Sequence, residues 1–354
     1  STVFSITIAA VAYASGNYGP RLLTNFMEDR GNQFSLATFI GTFVYAITVL
    51  RSVRAEDEVA TNLEDAAATA LPGFVPQLSL LVAFGLMALS VAVLVYFLNH
   101  IPASIRINTV LKDIGARLLT DIEARFPDPN TGQRAGTAPD GSPITARETG
   151  YVQAISFSRL ERIAQRENGK LKLAVRTGDF VHPKVVIAYW ADMDVVEDCP
   201  DADVRECFTL GSMRTPSQDM QFLIDELVEI GLRALSPGIN DFYTALACAD
   251  QLAAAMAGHA QTWVDDGLVA VYEHDPRFEL PGQDFRGLFE GPLKAFRQAA
   301  ADYPSVSIRI IENLARLRTL LAGQGCPGAL LQFFQTCAAE MHAHARANAE
   351  HDSD

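Results

Sequence analysis

From Ala66 to Ile105 the chain carries no Asp, Glu, Lys or Arg, and the middle of that stretch, Ser79 to Asn99, reads SLLVAFGLMALSVAVLVYFLN. A helix rises about 1.5 Å per residue and a bilayer's hydrocarbon core is about 30 Å thick, so roughly 20 apolar residues cross it. A helix buried in a large soluble protein can also be apolar, but it rarely stays uncharged over such a length. The stretch therefore predicts a membrane span, dividing the chain into a membrane part before it and a water-exposed part after it.

Two further charge-free runs precede it. Ser1 to Ser15, STVFSITIAAVAYAS, lacks the charged start of a signal peptide, so it reads as the remainder of a span that begins upstream. Gly16-Asn17-Tyr18-Gly19-Pro20 breaks this helix, and RLLTNFMEDRGNQ follows as either a short amphipathic helix at the membrane surface or a tight connection. Gly31 to Leu50, bounded by Arg30 and Arg51, is the next uncharged run. The expected membrane domain is thus 1–100, with spans about 1–16, 33–51 and 75–99 and at least one more missing upstream. Ser35, Thr38, Thr42 and Thr48 interrupt the middle span. Small hydroxylated residues of this kind let membrane helices pack closely, or they line a water-filled path. No ionisable residue lies deep in a span, which disfavours proton relays and intramembrane haem. Arg21, Arg30, Arg106, Lys112 and Arg117 outweigh Arg51 and Arg54 across the spans, so the C-terminal part is expected in the cytoplasm of a multi-pass inner-membrane protein.

A net charge of −14 disfavours nucleic acid as a partner, and five cysteines without paired spacing fit a reducing compartment. After the last span, Ile107, Leu111, Ile114, Leu118 and Ile122 recur at helical spacing, so residues 101–126 are expected as an amphipathic connecting helix. That apolar stripe packs either on its own domain or against symmetry mates. A Gly/Pro/Asn/Asp-rich loop, 127–143, marks a boundary. Beyond it, GYVQAISF, Lys170 to Arg176 and Val185 to Trp190 read as strands with a helix at 158–167 between the first two, a small barrel-sandwich-like β-rich subdomain over 144–192. Residues 208–348 are expected to be mainly helical, with Thr215 as a helix cap, Pro216 at the first helical position and Gln218 reaching back. Asp241 is expected to cap the next helix. Gly323 to Gly328 satisfies G-x-G-x-x-G but follows a helix, so it reads as a helix–helix turn. The predicted class is an α+β membrane protein with N-terminal transmembrane helices, the β-rich subdomain and a C-terminal helical bundle.

One long motif, GSMRTPSQDMQFLIDELVEIGLRALSPGINDFYTALACADQL, resembles the signature of the domain-of-unknown-function 2254 family of predicted bacterial membrane proteins. FSITIAAVAYAS, GPRLLTNFMEDRGNQ, GTFVYAITVLRSV, GYVQAISF and GDFV are similar to the same family, so the likeness covers nearly the whole chain. The resemblance implies about four membrane helices, the first missing here, and a cytoplasmic C-terminal domain. It implies no established activity. Phe242 stands where the family pattern leads us to expect Pro after the Asn-Asp pair, a departure that bears on that turn.

No P-loop, H-E-x-x-H, G-x-S-x-G, EF-hand or paired-cysteine zinc pattern is present, and no cofactor or metal is expected. The candidate site is Arg214, Gln218, Asp219, Arg233, Ser236, Asn240 and Asp241, polar residues around two helix starts whose free N–H groups suit an anion. The alternative is a lattice of caps and ion pairs tying helices together. Functional expectations are a homo-oligomeric pore controlled by the cytoplasmic domain, or a non-conducting scaffold for other membrane proteins. An enzyme ranks third, since no nucleophile–base pair can be named.

Overall fold

The computed structural model describes residues 29–53, 74–104, 106–125, 133–135, 141–191, 200–260, 263, 268–271, 278–281 and 285–351, with isolated helical positions at 5, 8, 9, 12 and 16. Apart from those positions, the expected span over 1–16 lies outside the described residues, as does the surface helix after it up to residue 28. So do Cys199 and most of the loops at 51–71 and 127–143. The chain divides into two compact units, Ser1–Thr109 and Val110–Asp354.

In the first unit, α1 (Arg30–Ser52) and α2 (Gln77–Ser104) form an antiparallel hairpin. Asp29 caps α1 by accepting the Asn32 N–H at 2.8 Å. Both helices, α2 over Gln77–His100, are long and apolar enough to cross a membrane. They are not the buried helices of a soluble core: Phe34 is 62 % exposed, Leu78 80 % and Leu81 69 %. The covered positions of α2 include Ser79, Ala83, Leu86, Ser90, Val93, Phe97 and His100, a 3.5-residue repeat, with Leu94 beside them. Asn32, Ser35, Phe39, Thr42, Tyr45 and Val49 face them from α1. Polar contacts cross this seam: His100 Nε2 with Asp29 Oδ1 at 2.9 Å, Ser90 Oγ donating to Thr42 Oγ1 at 2.8 Å, and the Tyr45 hydroxyl donating to the Ser79 carbonyl at 3.4 Å.

The second unit begins along α3 (Ile107–Arg125), whose Leu111, Ile114, Leu118 and Ile122 are all buried. Their cover is α7 (Phe242–His259): a side chain added at Gly115 would strike Gln251, and one at Gly258 would meet Leu119 at 3.3 Å. Of the two readings of this stripe, the structure has the domestic one.

Among the described residues nine short strands follow: β1 (Gln133–Ala135), β2 (Ser142–Thr145), β3 (Gly150–Ile155), β4 (Lys170–Leu173), β5 (Phe180–Val181), β6 (Val186–Ala191), β7 (Phe208–Gly211), β8 (Leu268–Val271) and β9 (Phe278–Pro281). They make a six-stranded sheet, β1-β8-β9-β4-β6-β2, and a three-stranded sheet, β5-β3-β7. All pairings are antiparallel except β4 with β9, where Leu171 lies beside Phe278. Between β3 and β4 runs α4 (Phe157–Arg166), whose Leu160, Ile163 and Ala164 join Val152, Ile155, Leu171, Ile187 and Trp190 in one core. The β-rich part is therefore not a contiguous segment. Strand β4 has an open edge that must be hydrogen-bonded, and β9, about a hundred residues downstream, fills it.

The helical part comprises α5 (Asp201–Arg205), α6 (Met220–Ala234), α7, α8 (Phe285–Ala299), α9 (Pro304–Gly323) and α10 (Gly328–His351). Phe285, Phe289, Phe296 and Phe334 are fully enclosed, with Trp263 packed on Phe285 at 5.9 Å. The segment from Gln324 to Pro327 joins α9 to α10, and Gly325 takes φ +74° there. It is a turn between helices.

Candidate functional site

The loop between β7 and α6 holds Arg214, Gln218 and Asp219. Helix α6 starts at Met220, and Asp219 is its cap, accepting the Phe222 N–H at 3.0 Å. The expected cap at Thr215 is thus displaced by four residues. Gln218 takes φ +58°, which no helix interior accommodates, and its amide instead pairs with the Ile155 backbone. There Oε1 accepts from the Ile155 N–H at 3.1 Å and Nε2 donates to its carbonyl at 3.4 Å. The Thr215 hydroxyl donates to the Gln153 carbonyl at 3.4 Å.

Arg214 grips Asp219 with two nitrogens, Nε to Oδ2 at 2.9 Å and a terminal nitrogen to Oδ1 at 3.0 Å. Its other terminal nitrogen reaches Asp225 Oδ2 at 2.9 Å, and Gln221 donates to Asp225 Oδ1 at 2.8 Å. Asp219 is 3 % exposed. Burial pushes its carboxyl up, against the opposing pull of Arg214 and the Phe222 amide. Burial also works against the charge on Arg214, yet Asp219 and Asp225 outweigh it and raise its pKa. The turn at Thr177-Gly178 closes over the pair. Gly178, at φ +92°, has no room for a side chain because Asp219 occupies the space, and the Thr177 hydroxyl donates to the Gln218 carbonyl at 2.5 Å.

Arg233, Ser236, Asn240 and Asp241 lie at the other end of α6, about 20 Å away at 1.5 Å per residue. Arg233 bonds Glu229 at 3.1 Å, one turn back. Asp241 caps α7, accepting the Thr244 N–H at 3.1 Å and its hydroxyl at 2.6 Å. Asn240, at φ +50°, and Ile239 both donate their N–H to the Ser236 carbonyl. The structure therefore brings the first three residues together and the last four together, but not all seven. At the first end one guanidinium serves two carboxylates, so the charges there are already engaged with one another. This chemistry ties β3, the 177–179 turn and α6 to one another.

The hydroxylated residues of α1 also have definite partners. Ser35 donates to the Gly31 carbonyl at 2.7 Å, Thr38 to Phe34 at 2.9 Å and Thr48 to Val44 at 2.9 Å, while Thr42 accepts from Ser90. Sequence reasoning missed Asp225, Gln221 and Thr177. The Gln221–Asp225 spacing of four was a usable signal for that pair. Among the described residues, no three His, Cys, Asp or Glu side chains are grouped to hold a metal ion.

A family model described as "Predicted membrane protein (DUF2254)" matches residues 1–316. An uncharacterized protein of Mycobacterium bovis and one of Mycobacterium tuberculosis are each 27 % identical over 322 residues, covering 88 % of this chain and 60 % of theirs. The chain thus spans 60 % of the length of these curated relatives. No solved structure matches it.

Proposed function

The chain belongs to the DUF2254 family of predicted membrane proteins, and we propose that it is a non-conducting scaffold of the bacterial inner membrane. In this reading the protein is multi-pass, residues 110–354 face the cytoplasm, and that unit gathers other membrane proteins. The excess of Lys and Arg on one side of the spans supports the orientation. The observation that carries the scaffold reading is the fate of the hydroxyl groups. Ser35, Thr38 and Thr48 donate to carbonyls of their own helix and Thr42 accepts from Ser90, so the hydroxyl protons of Ser35, Thr38, Thr48 and Ser90 are already engaged within the hairpin.

A homo-oligomeric pore governed by the cytoplasmic unit is the competing reading. Its support is Gly41 and Thr48, small residues exposed on α1 where neighbouring copies can pack. One experiment separates the two: full-length protein in liposomes, with ion flux recorded across potentials and tensions, beside gentle solubilisation and mass spectrometry. The scaffold reading expects no flux and a stoichiometric partner. Sustained flux altered by Thr42→Ala or Thr48→Ala overturns it in favour of the pore.

A further inference from the structure

The three-stranded sheet β5-β3-β7 has one side on the core and one side out. Val152 and Val181 point inward and are buried, so the outward positions of such a sheet are expected to be polar. Two of them are aromatic. Phe180 is 55 % exposed, and its ring meets that of half-buried Tyr151 at 5.1 Å. Gln153, two residues along β3, donates its side-chain N–H to the Met213 carbonyl at 2.9 Å, and Met213 is 59 % exposed. Phe180, Tyr151 and Met213 thus form an apolar ledge drawn from three separate stretches of the chain, the kind of patch that marks an interaction site.

The charges beside the ledge narrow its occupant. Loop 146–149 runs along the 182–185 turn, the Ala146 N–H donating to the Val185 carbonyl at 2.9 Å. Together they expose Arg147, His182 and Lys184 against the carboxylate of Glu148. Asp179, next to Phe180, turns back on its own loop, accepting the Arg176 N–H at 2.9 Å with the Arg176 guanidinium at 3.8 Å. Among the described residues this rim is therefore net positive, in a chain whose net charge is −14. Position narrows it further. Arg117 of α3 donates to the Pro216 carbonyl at 3.4 Å, in the loop that carries Met213. That contact lies about 15 Å of helix from Ile107, where α3 begins almost directly after α2. The ledge is thus tied to the chain within about three helical turns of the end of a helix long and apolar enough to span a membrane.

We propose that this ledge rests on the bilayer surface, with Phe180, Tyr151 and Met213 among the upper acyl chains and Arg147 and Lys184 at anionic headgroups. The inference uses the membrane setting of the family and requires neither the scaffold nor the pore.

Tryptophan fluorescence supplies the test, because the native Trp190 and Trp263 are both buried and give a constant background. Phe180→Trp and Met213→Trp each add a reporter at an exposed position of the ledge. Full-length protein is reconstituted in vesicles of phosphatidylcholine and phosphatidylglycerol, with and without bromine on the acyl chains. The added emission of both variants is expected to shift to the blue and to be lost in brominated lipid, while wild-type emission changes little. Adding Lys184→Gln is expected to lower the ratio of lipid-contacting to water-facing reporter about fivefold, the worth of one cation at an anionic membrane surface. In phosphatidylcholine alone that substitution leaves the ratio unchanged. Indifference of either reporter to bromine overturns the proposal. If that reporter is also shielded from acrylamide, a protein covers the ledge in place of lipid. A ratio that Lys184→Gln leaves unchanged in the presence of phosphatidylglycerol overturns it as well.

Discussion

The Arg214 side chain makes three hydrogen bonds to two carboxylates, and its loss is expected to show in stability before anything else. Arg214→Ala strands Asp219, 3 % exposed, without its counter-charge. A buried carboxylate so abandoned costs about 3 kcal/mol, read as a lowered urea midpoint with unchanged slope. Arg214→Lys is expected to recover only part of that, because one ammonium cannot bond both Asp219 oxygens and Asp225 together. A loss below about 0.5 kcal/mol for the alanine variant would mean that solvent already screens the pair. Arg214, Gln218 and Asp219 were legible in the sequence as a polar cluster before an apolar run. Asp225 was not, since a separation of eleven residues from Arg214 carries no local pattern. The Thr215-Pro216-Ser217-Gln218 signal obeyed every local rule for a helix start. It yielded because Gln218 satisfies the Ile155 backbone, a contact across 63 residues that no window on the sequence contains.

Helices α1 and α2 read plainly from the sequence because a long absence of charge needs no periodicity to be noticed. Their seam did not, for the same reason: α2 is apolar on every face, so hydropathy cannot tell the covered side from the exposed one. Ser90 and His100 mark the side by polarity instead, bonding Thr42 and Asp29 across the seam. The Ser90–Thr42 bond is expected to contribute modestly. A double-mutant cycle with Ser90→Ala and Thr42→Ala, followed by unfolding in mixed micelles, should return a coupling of about 0.6 kcal/mol. A coupling indistinguishable from zero would mean that apolar contacts such as Phe39 on Phe97 set the register unaided.

For the molecule as a whole, the periodic stripe of α3 was legible but its partner was not, since an apolar face is the same whether it meets α7 or another copy. Burial now ties Leu111 to its own unit. Leu111→Cys is accordingly expected to resist maleimide in the native protein, to react after denaturation and to form no disulfide between copies under oxidation. A cross-linked dimer through that position would place the stripe at an interface. The β-rich part shows the same limit of sequence at a larger range: strands β3, β4 and β6 were legible by composition, but β9 as the neighbour of β4 was not. That pairing has a consequence for how the chain comes into being. When β4 leaves the ribosome its partner has not been made, and the remaining strands β8 and β9 follow only after α6 and α7. The growing chain must carry an unfinished sheet edge through about a hundred residues of translation, the interval in which a nascent polypeptide is most exposed to wrong pairings and most in need of a chaperone.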